Sequence, residues 1–260
     1  MKVNTVAELA AQGKSPDVLF WVGCAGSFDE RYKNVTIAVC KILNKVGLNY
    51  AVLGTEESCT GDPARRAGND FLFQMQALSN IQTLNGYGIK KIVTACPHCF
   101  NTIKNEYPEL GGNYEVLHHS ELLQSLIKEG KLTLKGGGEF KGKKITFHDS
   151  CYLGRANNIY EAPREVIEAM DVALVEMKRS KKNGLCCGAG GAQMFKEPET
   201  GNKDINIERT EEALETGATI ISTGCPFCLT MLQDGVKNKE KENEVQVVDL
   251  AELIAKFEEL

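Results

Sequence analysis

Short apolar runs alternate with helical stripes along this chain, and the alternation occurs twice. The run Asp17-Val18-Leu19-Phe20-Trp21-Val22-Gly23 reads as a buried strand that delivers Cys24 at its C-terminal end. A helical stripe of Val35, Val39, Ile42, Leu43 and Val46 follows and stops at Gly47. Residues 48–53 predict a second strand, with Ser58-Cys59-Thr60-Gly61 in the loop beyond it. Phe71, Met75, Leu78 and Ile81 mark the next helix, and Lys91-Ile92-Val93-Thr94 a third strand ending at Cys96-Pro97-His98-Cys99. A short helix stopping near Pro108, a strand over residues 114–117 and a helix capped by Ser120 and carrying Leu122, Leu123, Leu126 and Ile127 complete the first half.

Residues 131–144 include Gly136-Gly137-Gly138 and several lysines and read as a flexible connector. The pattern then restarts. Lys144-Ile145-Thr146-Phe147 predicts a strand ending near Cys151, Pro163 opens a helix with Val166, Ile167 and Met170, and residues 172–177 predict the next strand. Beyond Cys186-Cys187, a helix ends at Gly217, Thr219-Ile220-Ile221-Ser222 leads into Cys225, and residues 245–248 form a last strand before a helix through Leu253.

Laid over one another, the halves pair Cys24 with Cys151, Ser58-Cys59 with Cys186-Cys187, and Cys96-Pro97-His98-Cys99 with Cys225-Pro226-Phe227-Cys228, at offsets of 127, 128 and 129 residues. Gly88 with Gly217, Ile92 with Ile221, and Glu121 with Glu252 extend the match. The expected fold is α/β: two pseudo-symmetric halves, each a small parallel β-sheet flanked by helices, with cysteine motifs at the C-terminal ends of strands, where open α/β sheets place ligands. The expected boundaries are 1–130 for the first half, 131–143 for the linker and 144–260 for the second half.

Composition narrows the chemistry. With 42% hydrophobic and 25% charged residues, the chain reads as a soluble globular protein. A net charge of −5 argues against a nucleic-acid partner, which needs a clustered basic face. No apolar run approaches the roughly 20 residues that span a bilayer, and Met1-Lys2-Val3-Asn4 lacks the apolar core of a signal peptide. A cytoplasmic location is expected, where thiols stay reduced, so ten cysteines there point to metal or redox chemistry rather than disulfides.

Cys151, Cys186, Cys187, Cys225 and Cys228 are one thiolate more than a tetrahedral metal ion takes. Multinuclear iron clusters are held by thiolates and accommodate such a set. Gly188, Gly190 and Gly191 allow the sharp turn that a vicinal pair needs and leave N–H groups for sulfur. Each Cys-Pro-x-Cys lies at a strand-to-helix junction, with proline suited to the first turn and the second cysteine near a helix N-terminus that stabilises thiolate. That placement suits a metal ligand and equally a redox dithiol of the thioredoxin kind, but the dithiol reading has no use for Cys24, Cys59 or the second copy.

The order Cys, Cys-Cys-Gly, Cys-Pro-x-Cys resembles the cysteine-rich CCG domain of heterodisulfide reductase, found also in glycolate and lactate oxidase iron–sulfur subunits. Glu57-Ser58-Cys59-Thr60-Gly61-Asp62-Pro63-Ala64-Arg65 and Cys186-Cys187-Gly188-Ala189-Gly190-Gly191 are similar to the branch linked to electron-transferring flavoprotein (ETF) and acyl-CoA dehydrogenation, which passes electrons to membrane quinone. The resemblance implies an iron–sulfur electron-transfer subunit of an oxidoreductase. Its second site would be a noncubane [4Fe–4S] cluster on Cys151, Cys186, Cys187, Cys225 and Cys228. Cys24, Cys59, Cys96 and Cys99 remain at the first site, where Ser58 is read in place of the leading cysteine. A cubane [4Fe–4S] cluster, a zinc ion, or a noncubane cluster with serine or an exogenous ligand are all open there. Implied partners are a flavoprotein donor and a subunit carrying a ferredoxin domain, a membrane haem domain or both, which would hold the chain peripherally at the inner face of the cell membrane. Alternatives are catalytic reduction of a heterodisulfide, an accessory role in lactate or glycolate oxidation, and, in a different class, a zinc-stabilised binding module.

Other residues carry weaker signals. His148, just before Cys151, is a candidate to tune the cluster or relay a proton, against the plainer role of a satisfied strand-end histidine. Gly188 and Ser58 join it as candidates beside the ligands. His98 is expected beside the cluster or exposed, and His118 and His119 outside any metal site. Cys40 reads as a small core residue, residues 178–182 as a solvated charge run, and Arg155 and Arg209 as candidate cluster-side cations, against the plainer role of salt-bridged residues.

Overall fold

The computed structural model describes every residue except Met1, Gly136, Gly138, Glu139, Lys141, Pro198 and Glu199. The chain divides into two compact units, Met1–Leu122 and Leu123–Leu260. Each holds a four-stranded, wholly parallel sheet with helical connections. In the first unit the strands are β1 (Val18–Trp21), β2 (Tyr50–Ala51), β3 (Lys91–Thr94) and β4 (Glu115–His118), in the order β2-β1-β3-β4. The second repeats this with β5 (Lys144–Phe147), β6 (Ala173–Leu174), β7 (Ile220–Thr223) and β8 (Gln246–Asp249), in the order β6-β5-β7-β8.

That order dictates where a site forms. From β1 the chain runs outward to β2 and then crosses back to β3 on the other side, so β1 and β3 flank the point at which the winding reverses. Crevices open at such points, beyond the carboxyl ends of the strands. Cys24 follows β1 and Cys96 follows β3, and Cys151 and Cys225 occupy the same places after β5 and β7. All four residues of β1 and of β7 are buried, as expected of parallel strands covered on both faces.

The edge strands are shorter than the apolar runs that encode them. Residues 48–53 and 172–177 contribute only two strand residues each, paired with β1 and β5 respectively, and Val52 adds an isolated bridge to Thr5. The helix Asp70–Gly86 turns a different face inward from the one its spacing suggests. Phe73, Ala77, Asn80, Ile81 and Leu84 are buried, whereas Phe71 is 75% and Met75 54% exposed. Apolar residues occur all round this helix, so periodicity alone does not select its face.

Ser120 does not cap its helix, which begins at His119; its hydroxyl lies 2.8 Å from His118 Nδ1, and the Glu121 carboxylate accepts the His118 amide at 3.0 Å. In the second unit Asp249, at the place of His118, is the cap and completes a capping box with Glu252. Pro163 lies inside the first turn of the helix Glu161–Glu168 rather than opening it. The glycine–lysine connector includes Gly136, Gly138, Glu139 and Lys141, which lie outside the described residues. Among its described residues, Leu132 and Phe140 are buried, and the Phe140 ring stacks on Phe257 at 6.2 Å.

Candidate metal centres

In the first unit, Cys24 is the second residue of the helix Gly23–Phe28, which starts as β1 ends. Gly23 has φ +77°, which favours glycine, and a Cβ there would stand a tight 3.2 Å from Cys99 Sγ. Glu57 holds the Cys59 loop against this strand end, its carboxylate accepting the Val22 and Gly23 amides at 3.0 and 2.5 Å. Burial raises the Glu57 carboxyl to about 7, against the pull of those two amides. Cys96 is the N-cap and Cys99 an interior residue of the helix Pro97–Asn101. The Cys24 thiol is hydrogen-bonded to Cys59 and is pushed up, while the same bond draws Cys59 down to about 7.

The second unit gathers its five cysteines in the same way. Cys225 caps the helix Pro226–Asn238, whose first turn includes Cys228, and Cys187 Sγ lies 3.3 Å from Cys228 Sγ. Cys151 and Cys187 are both hydrogen-bonded to Cys186, which lowers the Cys186 thiol and raises theirs. Asp149 anchors the loop that carries Cys186: its carboxylate accepts the Lys181 amide at 2.6 Å and pairs bidentately with the buried Arg164 at 2.8 and 2.9 Å. Arg155 donates to the Gly184 carbonyl from the other side of that loop at 2.5 Å.

Superposing these contacts corrects the pairing read from the sequence. Cys59 and Cys186 share a role: each is the lowered thiol of its unit and is bonded to the cysteine after the first strand. Each also accepts an N–H from the glycine two residues on, Gly61 at 3.5 Å and Gly188 at 3.3 Å, with φ +90° and +93°. Cys59-Thr60-Gly61 therefore matches Cys186-Cys187-Gly188, at the same offset of 127 that relates Cys24 to Cys151. The residue opposite Cys187 is Thr60, whose Oγ1 faces Cys99 Sγ at 3.9 Å as Cys187 faces Cys228. Ser58 stands one place too early: it is exposed, and its hydroxyl donates to Asn80 Oδ1 at 2.9 Å.

Asn80 carries no signal in the sequence, yet it organises this loop, donating also to the Cys59 carbonyl at 2.9 Å and to the Tyr107 hydroxyl at 3.1 Å. His98 is buried, its Nδ1 2.8 Å from Asp62, which also accepts from Arg66 at 3.0 Å. His118 and His119 are buried against each other and Ser120, and Cys40 lies in the core of the helix Lys33–Lys45. The charge run at 178–182 is partly paired: Arg179 bonds Glu208 and Glu212, and Lys181 bonds Glu161. Arg209 is fully buried, donating from Nε to His148 Nδ1 at 2.9 Å and from Nη1 to the Arg179 carbonyl at 2.8 Å. His148 is also fully buried, and burial first, then the Arg209 charge, lowers it to about 3.

These residues fit a cationic multi-iron centre. All ten cysteines are free thiols, and Cys99 and Cys228 are raised first by the thiols beside them, since several thiolates together in one buried crevice call for a cation. An imidazole nitrogen of His148 lies within 4.8 Å of both Cys187 Sγ and Cys228 Sγ, and its Nε2 has no partner among the described residues.

Two thiol-lined crevices, each at the winding reversal of a parallel sheet, define a duplicated, cysteine-rich α/β metalloprotein. The chain belongs to the CCG cysteine-rich domain family, whose pattern it matches at residues 18–104 and again at 145–233. It is 49% identical over 255 residues to the "Probable iron-sulfur-binding oxidoreductase FadF" of Bacillus subtilis (strain 168), covering 98% of this chain and 36% of that protein. It is 46% identical over 254 residues to the "EtfAB:quinone oxidoreductase" of Syntrophomonas wolfei, covering 95% of this chain and 35% of that protein. It is 35% identical over 250 residues to a subunit of the dihydromethanophenazine:CoB--CoM heterodisulfide reductase of Methanosarcina barkeri, covering 92% of this chain and 58% of that protein. The chain thus spans between about a third and three-fifths of the length of these relatives. Among the described residues no helix is long and apolar enough to cross a membrane.

Proposed function

We propose that this chain is the iron–sulfur electron-transfer part of an oxidoreductase, with a noncubane [4Fe–4S] cluster on Cys151, Cys186, Cys187, Cys225 and Cys228. The observation that carries the reading is the convergence of five free thiols on one crevice beyond β5 and β7. A cluster bound there supplies one-electron storage in a largely buried site. The first unit, with Thr60 opposite Cys187, offers four thiolates, the number that a cubane [4Fe–4S] cluster or a zinc ion takes. The name of the Syntrophomonas wolfei relative, EtfAB:quinone oxidoreductase, supports a flavoprotein of the ETF type as donor and a quinone as acceptor, and the motif resemblance implies that the quinone is in the membrane and is reached through a partner with ferredoxin or haem domains. Such a partner would keep the chain at the inner face of the membrane. The test is anaerobic addition of a chemically reduced electron-transferring flavoprotein to the whole chain. Bleaching of the cluster absorbance within seconds is the expected result, and none over minutes counts against the flavoprotein assignment.

One observation favours a second reading, reduction of a disulfide substrate. A cavity of about 490 Å³ adjoins the Cys-Cys-Gly loop, lined by Gly188, Met194, Lys203, Ile205 and Met231 among others. Release of free thiols from an added organic disulfide by the dithionite-reduced chain, absent in Cys186→Ala, would select this reading.

A further inference from the structure

We propose that His148 donates a hydrogen bond from Nε2 to sulfur of the second cluster, with Arg209 as the positioning residue that fixes the ring's tautomer. The inference rests on the second crevice holding an iron–sulfur centre, and its chemistry follows from donor counting. A guanidinium has only donors. Arg209 Nε therefore donates to His148 Nδ1, at 2.9 Å, and Nδ1 carries no proton. The single proton of the neutral ring sits on Nε2.

That N–H is fully buried and has no acceptor among the described residues. A buried donor left unmade is costly, so it calls for a partner. Cys187 Sγ and Cys228 Sγ lie within 4.8 Å of a ring nitrogen of His148. Nδ1 is occupied by Arg209 and Nε2 has no partner among the described residues, so Nε2 is the nitrogen left to meet these sulfurs, and with its proton it meets them as a donor and not as a metal ligand. Arg209 Nη2 is likewise buried without a hydrogen-bond partner among the described residues.

The duplication supports the assignment. At the offset of 127, His148 corresponds to Trp21, whose indole Nε1, a donor that never accepts, is also buried with no partner among the described residues. Trp21 ends β1 and His148 directly follows β5, so both units place a ring N–H with no acceptor among the described residues at the end of the first strand. They differ in its setting, because Asn80 stands in the first unit where Arg209 stands in the second, at the offset of 129 that relates Gly88 to Gly217.

An N–H directed at cluster sulfur stabilises the more negative, reduced state. The test uses the whole chain, purified anaerobically and containing iron and sulfide. Pulsed electron paramagnetic resonance of the second cluster, with and without ¹⁵N-histidine, should show one weakly coupled histidine nitrogen and an exchangeable proton. His148→Leu should lose both and shift the redox equilibrium about tenfold toward the oxidised cluster, about 59 mV for one electron. His148→Gln, which keeps an N–H at that reach, should recover most of the shift. Arg209→Met should weaken the proton coupling while the iron content stays unchanged. A strong, directly bonded nitrogen coupling would overturn the proposal in favour of ligation. So would an unchanged potential in His148→Leu with the cluster intact. A preparation without iron would instead remove the iron–sulfur reading on which the proposal rests, and metal analysis shows that separately.

Discussion

Replacing Asp149 by Ala removes the carboxylate that ties the Cys186 loop to the end of β5. In the structure this side chain is 5% exposed, and its partner Arg164 3%. Three bonds are lost: two to the guanidinium at 2.8 and 2.9 Å, and one from the Lys181 amide at 2.6 Å. Breaking a buried ion pair from one side costs roughly 3–5 kcal/mol, because the remaining charge is left in a dry site. Here Glu176 still holds the other edge of the guanidinium, at 2.6 and 2.9 Å, and is itself 38% exposed. The loss therefore falls near the lower limit, about 3 kcal/mol. With a urea dependence of about 2 kcal/mol per molar, the unfolding midpoint should fall by about 1.5 M. Circular dichroism of the metal-free chain in urea measures it. The double replacement Asp149→Leu with Arg164→Met, which leaves no buried charge unpaired because Glu176 is 38% exposed, should lose less than Asp149→Ala alone. A midpoint shift under about 0.3 M for Asp149→Ala, or a double replacement costing as much as the two single ones together, would refute the reasoning.

Three further outcomes follow from the same geometry. Thr60→Cys should supply a fifth thiolate to the first crevice and change its metal content or its paramagnetic spectrum, whereas Ser58→Cys should not, since that side chain is turned to Asn80; the reverse pattern would restore the register read from the sequence. Cys187→Ala should abolish the signal of the second cluster and leave the metal of the first unit in place, and loss of both by iron and zinc analysis would defeat the separate assignment. For Asp62, burial pushes the carboxyl up, but the bonds from His98 and Arg66 outweigh it and hold it below the usual 3.8. The unfolded chain then binds more protons, so this stabilisation is full above pH 3.8 and is lost as pH falls through the lower folded value. Acid titration of the metal-free protein should show a flatter decline in Asp62→Asn than in the parent, and identical curves would count against the pair.

Much of the architecture is legible in the sequence because local rules agree with one another. Apolar runs ending in cysteines locate the strands next to the winding reversals, and the duplication requires both halves to adopt one fold. The register of the Cys-Cys-Gly loop is not legible in the same way. Offsets of 127 and 128 are equally plausible on paper, and only the left-handed glycines and their N–H to sulfur bonds distinguish Thr60 from Ser58 as the counterpart of Cys187. The inward face of the helix Asp70–Gly86 escapes its periodicity because Phe71 and Met75 carry as strong an apolar signal as Phe73. Asn80 and Arg164 give no signal of their own and Arg209 reads only as a candidate cluster-side cation or a salt-bridged residue, since a buried polar residue is recognised by the partner it meets and those partners lie 12 to 61 residues away. A cue does exist: Asn80 and Arg209 are register mates, and a polar residue in both copies of an otherwise apolar helix position marks a shared buried task.

The most direct test of the account is a count of iron, acid-labile sulfide and zinc in the anaerobically purified chain, set beside Cys186→Ala and Cys187→Ala. Iron and sulfide near four of each assigned to the second unit, lost in both variants, is the predicted result. A lone zinc there with no sulfide, or a metal content indifferent to both substitutions, would contradict it.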